Sequence, residues 1–520
     1  MQMQRWRLGA VAIVVATVVV LSPMVPPAGG APAPTRGGIL KIALKAEPDT
    51  LDIMWSTSEL IYWVSTHIYE TLLAFDSNSR PVPHLASAYQ VSSDGLTYTF
   101  SLRRGVRFHN GKELTADDVV ASLRRWLDIS ALGRGILGPR TIEIAVRDRY
   151  SVVWRLRAPA SVIPYALARW TQAAAIYPAE VAQAAGRRMI TDYIGTGPYR
   201  LVEWRKGSLI RLARFDQYLP VDRPPSGQAG RRDAYLDELH YFFTPESSVR
   251  MVGVEVGDFH YTNEADREAF TRYRFSSRVQ SFVGKAGMSW LAPNHEGPVL
   301  SNLKVRQAIL AAVCVEPILA VYGHERFFRK IPAVMGEGPF ATDAGRELYN
   351  QCNPQRARQL LTEARYDGRP IKLLLRSGEA TAGDIALILQ QQLARVGIAL
   401  EIMIRDGAAF GRIRLDRSAY DAIINESSFV EHPVLLSHLP ATGISAWRND
   451  EKDKLIDDLL AATRHEQAVE IWRRIEQLWY QDVPTVKFGN FYGYDIARPE
   501  VRGYSDRRHP FFWNVWLQRR

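Results

Sequence analysis

Segments with the two-residue alternation of β-strands and segments with a helical period follow each other along most of this chain. Ile39 to Leu44 has the strand pattern, and the apolar stretch Leu60 to Leu73 predicts a helix. Near the other end, a predicted helix over 384–396 precedes a predicted strand over 400–404. This alternation predicts an α/β fold with mixed sheets. Because 520 residues exceed what one core supports, we expect two or three lobes.

The N-terminus has the pattern of an exported protein. Arg5 and Arg7 precede an unbroken apolar or small run from Leu8 to Leu21, and prolines and small residues follow it. The run is shorter than the roughly 20 residues that a membrane helix needs. We therefore expect residues 1–30 to be a signal peptide cleaved after Gly30. The alternative is an uncleaved anchor; no cysteine near the cleavage region supports a lipid anchor.

The net charge by itself excludes few classes of binding partner. Without Arg5 and Arg7 the chain has 63 basic and 55 acidic residues, a formal charge of +8, with the two signs interspersed. No block of like charge or nucleic-acid motif is present, so no nucleic-acid partner is expected. The excess suits either an acidic ligand or a basic solvated surface.

Motifs for catalysis are missing from the sequence. No P-loop, nucleophile elbow, zinc-protease motif or Cys-x-x-Cys pair occurs, so we expect neither an enzyme nor a cofactor. His295 and His432 leave a metal site open as an alternative. The two cysteines, Cys314 and Cys352, either form one disulfide outside the cytoplasm or stay free, because sequence alone does not give their separation.

Four segments in a fixed order carry a family resemblance. They are Pro83–Tyr89 with Ser93–Gly111 and Leu114–Val119; Gly195–Trp204; Asn294 with Leu303–Ile309; and Tyr420–Ile423 followed by Pro433. Together they resemble family 5 of the extracellular solute-binding proteins, which includes the dipeptide-, oligopeptide- and nickel-binding proteins of ABC importers. On physical grounds most of these residues are structural; Gly195 and Gly197, for example, suit a turn where side chains would clash.

The resemblance implies a periplasmic-binding-protein fold with two lobes, a hinge and an inserted subdomain. Lobe I would be discontinuous, the subdomain would follow its first piece, and the hinges would lie near 282–284 and 487–490. The implied bounds are 38–60, 186–280 and 488–520 for lobe I, 61–185 for the subdomain and 281–487 for lobe II.

The implied function is that of a periplasmic receptor. It would capture a peptide or peptide-like small molecule by hinge closure and deliver it to an ABC permease with its ATPase, as a monomer. An opine, a sugar conjugate or a metal chelate is the alternative ligand. An exported hydrolase or a chaperone on the same scaffold is the alternative function.

The resemblance also implies ligand contacts, which we place position by position. Glu47 matches a glutamate that faces the cleft in oligopeptide-binding members. Arg376, just after Leu373–Leu375, matches an arginine that pairs with the ligand carboxylate through its bidentate fork. For each, the alternative is a solvated or ion-paired structural residue.

One position departs from the peptide-binding pattern. Counting back from Pro433, the aspartate that holds the ligand ammonium in peptide-binding members is replaced by Phe429. A phenyl ring offers at most a cation–π contact, although Glu426 or Glu431 lies close enough in sequence to substitute. We still expect this stretch to line the cleft, and Trp447 to stack on the ligand or pack in the core. The predicted contacts here are Asn425, Ser427, Ser428, Phe429, Glu431 and Trp447.

Overall fold

The computed structural model describes residues 33–505 and 510–518, so the predicted signal peptide lies outside the described residues. Nineteen strands are present in this part of the chain. In chain order they are β1 Ile39–Leu44, β2 Leu73–Phe75, β3 Pro81–Pro83, β4 Ala86–Val91, β5 Thr97–Leu102, β6 Thr141–Asp148, β7 Ser151–Leu156, β8 Tyr199–Arg205, β9 Leu209–Arg214, β10 Glu238–Phe243, β11 Tyr261–Thr262, β12 Gln280–Pro293, β13 Phe328–Arg329, β14 Ile371–Arg376, β15 Leu400–Arg405, β16 Ala422–Ser428, β17 Val486–Ala497, β18 Val501–Arg502 and β19 Trp516–Leu517.

Helices alternate with these strands, as the sequence predicts for an α/β fold. They are α1 Glu59–Ser65, α2 Ala116–Ile129, α3 Gly138–Arg140, α4 Ile163–Ala168, α5 Ala179–Ala185, α6 Ser247–Val256, α7 Phe270–Tyr273, α8 Leu303–Ala312, α9 Val315–Ala320, α10 Pro354–Glu363, α11 Ala380–Ala394, α12 Gly407–Leu415, α13 Asp450–Ala461 and α14 His465–Asp482. In the described part of the chain no helix combines the length and the apolar character needed to cross a membrane.

An 11-stranded mixed sheet runs through the molecule in the order β15-β14-β16-β12-β17-β11-β1-β10-β9-β8, with β13 paired to β17. At one end β14 lies parallel to both β15 and β16. At the other end β1 lies parallel to both β10 and β11. The two ends form two lobes, and β12 and β17 are the strands that connect them.

The connecting strands β12 and β17 pair with each other along most of their length, but their outer partners differ between the two halves. The C-terminal end of β17 also pairs with β11, whereas Gly287–Pro293 of β12 also pair with β16. Their register shifts between Val283 and Ala286 and again between Ser289 and Trp290. Irregular pairing bends a strand and weakens its ladder locally, which suits a hinge between the lobes. The predicted hinge range 282–284 overlaps the first shift, and the range 487–490 on β17 lies opposite the second.

A smaller antiparallel sheet, β4-β5-β7-β6, lies within residues 61–185. Helix α2 packs against it and begins with a capping box between Thr115 and Asp118. The unit touches the far lobe, because the backbone N–H of Ser161 donates to the Leu460 carbonyl at 2.8 Å and Arg140 pairs with Asp457 at 2.7 Å.

The predicted helix over 60–73 is wrong beyond Ser65. The carbonyl oxygens of His67 and Ile68, which a longer helix would use internally, instead accept from the backbone N–H groups of Tyr199 and Gly197. The approach is so close that a Cβ at Gly195 would fall on the Ile68 carbonyl oxygen. The predicted requirement for glycine here is confirmed.

Cys314 and Cys352 form a disulfide with their Cα atoms 4.7 Å apart. The bridge ties the loop before α10 to the start of α9. The alternative of two free thiols is therefore wrong.

Candidate functional site

A cavity of about 660 Å³ lies between the two lobes, beside the connecting strands. One wall comes from Glu59 and from the segment Glu264–Glu268, which follows β11. Gly287 of β12 and Phe491 of β17 form its floor. Gly287 matters here because a Cβ at this position would collide with the Phe491 ring.

The opposite wall comes from the other lobe. It consists of residues 320–323 after α9, the first turns of α11 with Thr381 and Asp384, and Ser428 at the end of β16. Both lobes and both connecting strands therefore enclose the same space.

Aromatic rings and one guanidinium form the inner part of the cavity. Tyr322 and Phe491 stack with their ring centroids 5.3 Å apart. The Arg267 guanidinium lies 5.3 Å from the centre of the Tyr322 ring, and its Nε donates to the Tyr492 carbonyl at 3.1 Å. The Tyr322 hydroxyl donates to Glu426. Through the contact of Arg267 with Tyr322, these side chains connect the two lobes.

Among the lining residues that the structure describes, acidic side chains outnumber basic ones. The lining acids are Glu59, Glu264, Asp266, Glu268 and Asp384, and Arg267 is the lining base.

The partners of these acids differ. Glu264 pairs with Lys45 at 2.8 Å. No ion pair involves Glu268 or Asp384 among the side chains that the structure describes. Desolvation by the surrounding walls raises the pKa of Glu426, and the nearby Glu379 carboxylate adds to the shift. The cavity is thus an acidic site in a basic protein.

Strand β16 divides the predicted contacts between two faces. Successive side chains of a strand point to opposite sides. Ser428 lines the cavity and Glu426 reaches Tyr322, whereas Ser427 accepts from the Trp290 indole N–H at 3.1 Å and Asn425 lies 3.5 Å from His438. The structure therefore brings Ser428 to the cavity and places Asn425 and Ser427 toward the core.

The loop after β16 is buried. Phe429 is 5% exposed and packs on Gly338, where a Cβ would lie 2.9 Å from the ring. Glu431 is 4% exposed. Burial lowers the pKa of Arg169, and the Glu431 carboxylate opposes that shift, so the two charges lie near each other across the lobes. The loop joins the two lobes rather than lying open to solvent.

Glu47 and Arg376 do not line this cavity. Glu47 accepts from the Trp204 indole N–H at 2.6 Å and from the backbone N–H of Gly207 at 2.9 Å, which attaches it to the β8–β9 hairpin. The Arg376 side chain is 57% exposed at the end of β14, and its nearest recorded acid is Glu379 at 3.8 Å.

Trp447 is in the core. It is 0% exposed, its indole N–H donates to Asp482 at 2.7 Å, and its ring meets Trp479 edge to face at 5.5 Å. Of the two environments that the sequence allows for Trp447, the structure shows the packed one.

Several cavity residues have no signal in the sequence. Arg267, Glu268, Tyr322 and Asp384 come from a loop, a turn and a helix start far apart in the chain. The only cue is the acidic run Glu264–Glu268, which resembles any solvated turn. Only the sheet topology brings these side chains together.

Solved structures with the same architecture cover nearly the whole chain. The oligopeptide-binding protein AppA of Bacillus subtilis, in complex with a nonapeptide, is 23% identical with a TM-score of 0.74 and covers 94% of this chain and 100% of its own. A periplasmic binding protein of A. tumefaciens R10, in complex with agropinic acid, is 23% identical with a TM-score of 0.77 and covers 93% and 99%. These likenesses show the two-lobed fold.

Sequence comparison identifies the family. A probable peptide ABC transporter periplasmic-binding protein of Sinorhizobium fredii is 26% identical over 469 residues, or 86% of this chain and 88% of the relative. Residues 80–433 match the family described as bacterial extracellular solute-binding proteins, family 5 Middle. The chain therefore belongs to family 5 of the bacterial extracellular solute-binding proteins.

Proposed function

We propose that this protein is a periplasmic receptor that holds a peptide or peptide-like solute in the cavity between its lobes and delivers it to an ABC permease. The observation that carries the proposal is the cavity itself, whose walls come from both lobes and whose floor is the pair of connecting strands. Membership of family 5 supports the same role. The relative from Sinorhizobium fredii carries a peptide-transport name.

Hinge closure would couple binding to delivery. A ligand that contacts Glu268 from one lobe and Asp384 from the other has contacts in the closed form that the open form lacks, so it shifts the equilibrium toward closure. The closed monomer would then dock on the permease, whose ATPase drives import. We propose 38–60, 186–280 and 488–520 as lobe I, 61–185 as the inserted subdomain and 281–487 as lobe II. Residues 1–30 would direct export to the periplasm.

The charge of the cavity favours a ligand with an ammonium group. Glu268 and Asp384 line the cavity and form no ion pair with the side chains that the structure describes, and carboxylates attract an ammonium strongly where water is restricted. Glu426 accepts from the hydroxyl of Tyr322, which lines the cavity, so its carboxylate lies beside this space and could replace the amine anchor that Phe429 cannot provide. We propose Ser428, Glu426, Glu268 and Asp384 as contacts. Arg376 stays a predicted carboxylate contact, although its side chain is 57% exposed at the end of β14 and does not line the cavity.

An opine is the second candidate class. The A. tumefaciens protein binds agropinic acid on the same fold, and the altered amine anchor at Phe429 removes one feature of ordinary peptide receptors.

Release of the natural ligand tests the proposal. The purified protein is denatured, and mass spectrometry identifies the small molecules that are released in a ratio near one per chain. A peptide or peptide-like amine would support the proposal, and its re-addition should raise the melting temperature without turnover. Conversion of the compound to a product would support the hydrolase instead, and a strictly anionic sugar or a metal chelate would contradict the assigned ligand class.

A further inference from the structure

The inserted subdomain is fixed to lobe I by a buried ionic contact. Asp52, in the stretch 38–60 that we assign to lobe I, accepts from the Arg125 guanidinium at 2.5 Å and from the Tyr177 hydroxyl at 3.0 Å. Both Asp52 and Arg125 are buried. Separating a buried pair of this kind leaves an uncompensated charge, which is strongly unfavourable. The subdomain therefore moves together with lobe I when the lobes open or close.

The contact between the subdomain and lobe II is of a different kind. The backbone N–H of Ser161 donates to the Leu460 carbonyl at 2.8 Å, and the Ser161 hydroxyl donates to the Leu459 carbonyl at 2.8 Å. Two concave spaces of about 430 Å³ each border this contact, and Ser161 and Ala462 line both of them. The contact is narrow, so its hydrogen bonds can separate and be replaced by bonds to water.

Ser161 supplies donors that the end of α13 needs. The last carbonyls of a helix have no partner within the helix, and they carry a partial negative charge. Many helices satisfy them with a left-handed residue just after the last turn. After α13, Ala462 is extended instead (φ −63°, ψ 124°), and its N–H reaches the Leu459 carbonyl over a long 3.4 Å. The two donors from the subdomain therefore complete the cap of a helix in the other lobe.

The subdomain alone holds Ser161 in position. The carbonyl of the preceding residue, Ala160, accepts from the hydroxyl of Tyr98 on β5 at 3.0 Å. Tyr98 is buried, and so are Val162 and Ile163, which follow Ser161. The two donors are therefore ordered before the lobes meet, which keeps the entropic cost of forming the contact low.

An ion pair adds to the contact one turn earlier on α13. Arg140 of the subdomain pairs with Asp457 at 2.7 Å. Asp457 lies three residues before Leu460, on the same side of the helix. Because the Asp457 side chain is 72% exposed, this pair contributes less than the cap.

We propose that Ser161 and Arg140 form a latch that exists only when the lobes are closed, in which the subdomain caps the C-terminal turn of α13. Neither residue is among the described residues that line the interlobe cavity. The latch prolongs the closed form, and with it the residence time of the solute, without touching the solute. This inference rests on the proposed receptor function and adds residues that set its open–closed equilibrium.

Distance measurements between the lobes test the latch. Spin labels at Arg147→Cys in the subdomain and Arg369→Cys in lobe II, both exposed, give the ratio of closed to open molecules by double electron–electron resonance. The ratio is measured without peptide and with an excess of di-, tri- or tetra-alanine. Ser161→Ala removes the hydroxyl donor and keeps the backbone N–H, so it should lower the ratio about fivefold. Arg140→Gln should lower it about twofold, because the pair that it removes is exposed.

Two substitutions within the subdomain are matched controls. Ser87→Ala removes a hydroxyl that donates to the Ser101 carbonyl at 3.1 Å, and Arg155→Gln removes an exposed ion pair with Glu143. Both should leave the ratio of closed to open molecules unchanged.

Denaturant unfolding distinguishes a latch from an ordinary structural bond. Ser161→Ala should leave the free energy of unfolding of the peptide-free protein unchanged, because the open form lacks the bond. It should lower the free energy of unfolding with peptide. An equal loss with and without peptide would show a bond that is always present, and the latch would be wrong.

The outcomes separate the latch from the receptor proposal. A closed population that both Ser161→Ala and Arg140→Gln leave unchanged would overturn the latch and leave the receptor intact. If the wild-type protein shows no closed population, with or without any of the peptides, the peptide-receptor proposal fails and the latch fails with it.

Discussion

Adjacent residues of β16 serve different purposes because a strand alternates its faces. Ser428 lines the cavity, while Ser427 accepts a hydrogen bond from the Trp290 indole. A substitution of one serine should therefore affect binding and a substitution of the other should affect packing. The same division separates Glu426 from Asn425.

Asp384 is the sharpest single test of the charge of the cavity. Asp384→Asn removes, at nearly constant volume, a carboxylate that lines the cavity and has no cationic partner among the described side chains. We expect it to weaken binding of an amine-bearing ligand about five- to tenfold, since a charge-assisted hydrogen bond contributes more than a neutral one. Calorimetry with the ligand recovered from the protein measures the change.

The control is Asp258→Asn, an exposed acid away from the cavity. It should leave affinity and stability unchanged. Tighter binding in Asp384→Asn would show that the cavity prefers an anion.

At the scale of elements, the four segments that carry the family resemblance pack against one another in the fold. The side-chain amide of Asn294 donates to the carbonyls of Arg417 and Tyr420, and Asp421 accepts from the backbone N–H of Val299 at 2.6 Å. The third and fourth segments thus close one structural unit beside α8. In the same way, the segment that begins at Gly195 packs on the carbonyls of His67 and Ile68, which follow the end of α1.

Gly195→Ala should destabilise the protein. A methyl group there meets the Ile68 carbonyl oxygen, and overpacking of this kind costs about 1–3 kcal/mol. Denaturant unfolding of the mature protein measures the loss. Gly411→Ala is the matched control, because nothing lies within 4 Å of a Cβ there and alanine favours a helix interior such as α12. Equal stabilities of the two variants would contradict the packing of this segment.

Much of the element pattern could be predicted from the sequence, and the site could not. Thr115, followed three residues later by Asp118, gives a local start signal for α2 that the fold retains. The helix after Leu60 fails because its last carbonyls bond to a distant segment, a tertiary effect that local pattern does not contain. Glu268 and Asp384 line the same cavity only because of the order of the strands in the sheet. Which side chains of β16 face the cavity depends on the register of β16 with β12.

For the whole molecule, buried neutral histidines predict sensitivity to acid. Burial lowers the pKa of six histidines far below 6.5: to about 3 for His67, His295, His432 and His438, and to about 4 for His84 and His109. The unfolded chain protonates each near pH 6.5. Between pH 6.5 and about 4 the unfolded state therefore binds more protons, and the free energy of unfolding falls as pH falls.

Glu476 acts in the opposite direction. Burial raises its pKa to about 7, so the folded state binds the extra proton between about pH 4.5 and 7. Burial also raises the pKa of Glu426, but two such carboxyl groups against six histidines leave a net loss of stability in acid. Chemical denaturation at pH 7.5, 6, 5 and 4.5 should show a steady decrease. A constant or rising free energy of unfolding toward acid would contradict the burial of these imidazoles.

The central claim is that a solute is held between two lobes that close on it. Spin labels at Lys206→Cys, on the β8–β9 hairpin, and Arg369→Cys, beside β14, report the distance between the lobes from two exposed positions. Double electron–electron resonance with and without the ligand recovered from the protein should show a shorter and narrower distance distribution at one ligand per chain. An unchanged distribution at saturating ligand would contradict the account.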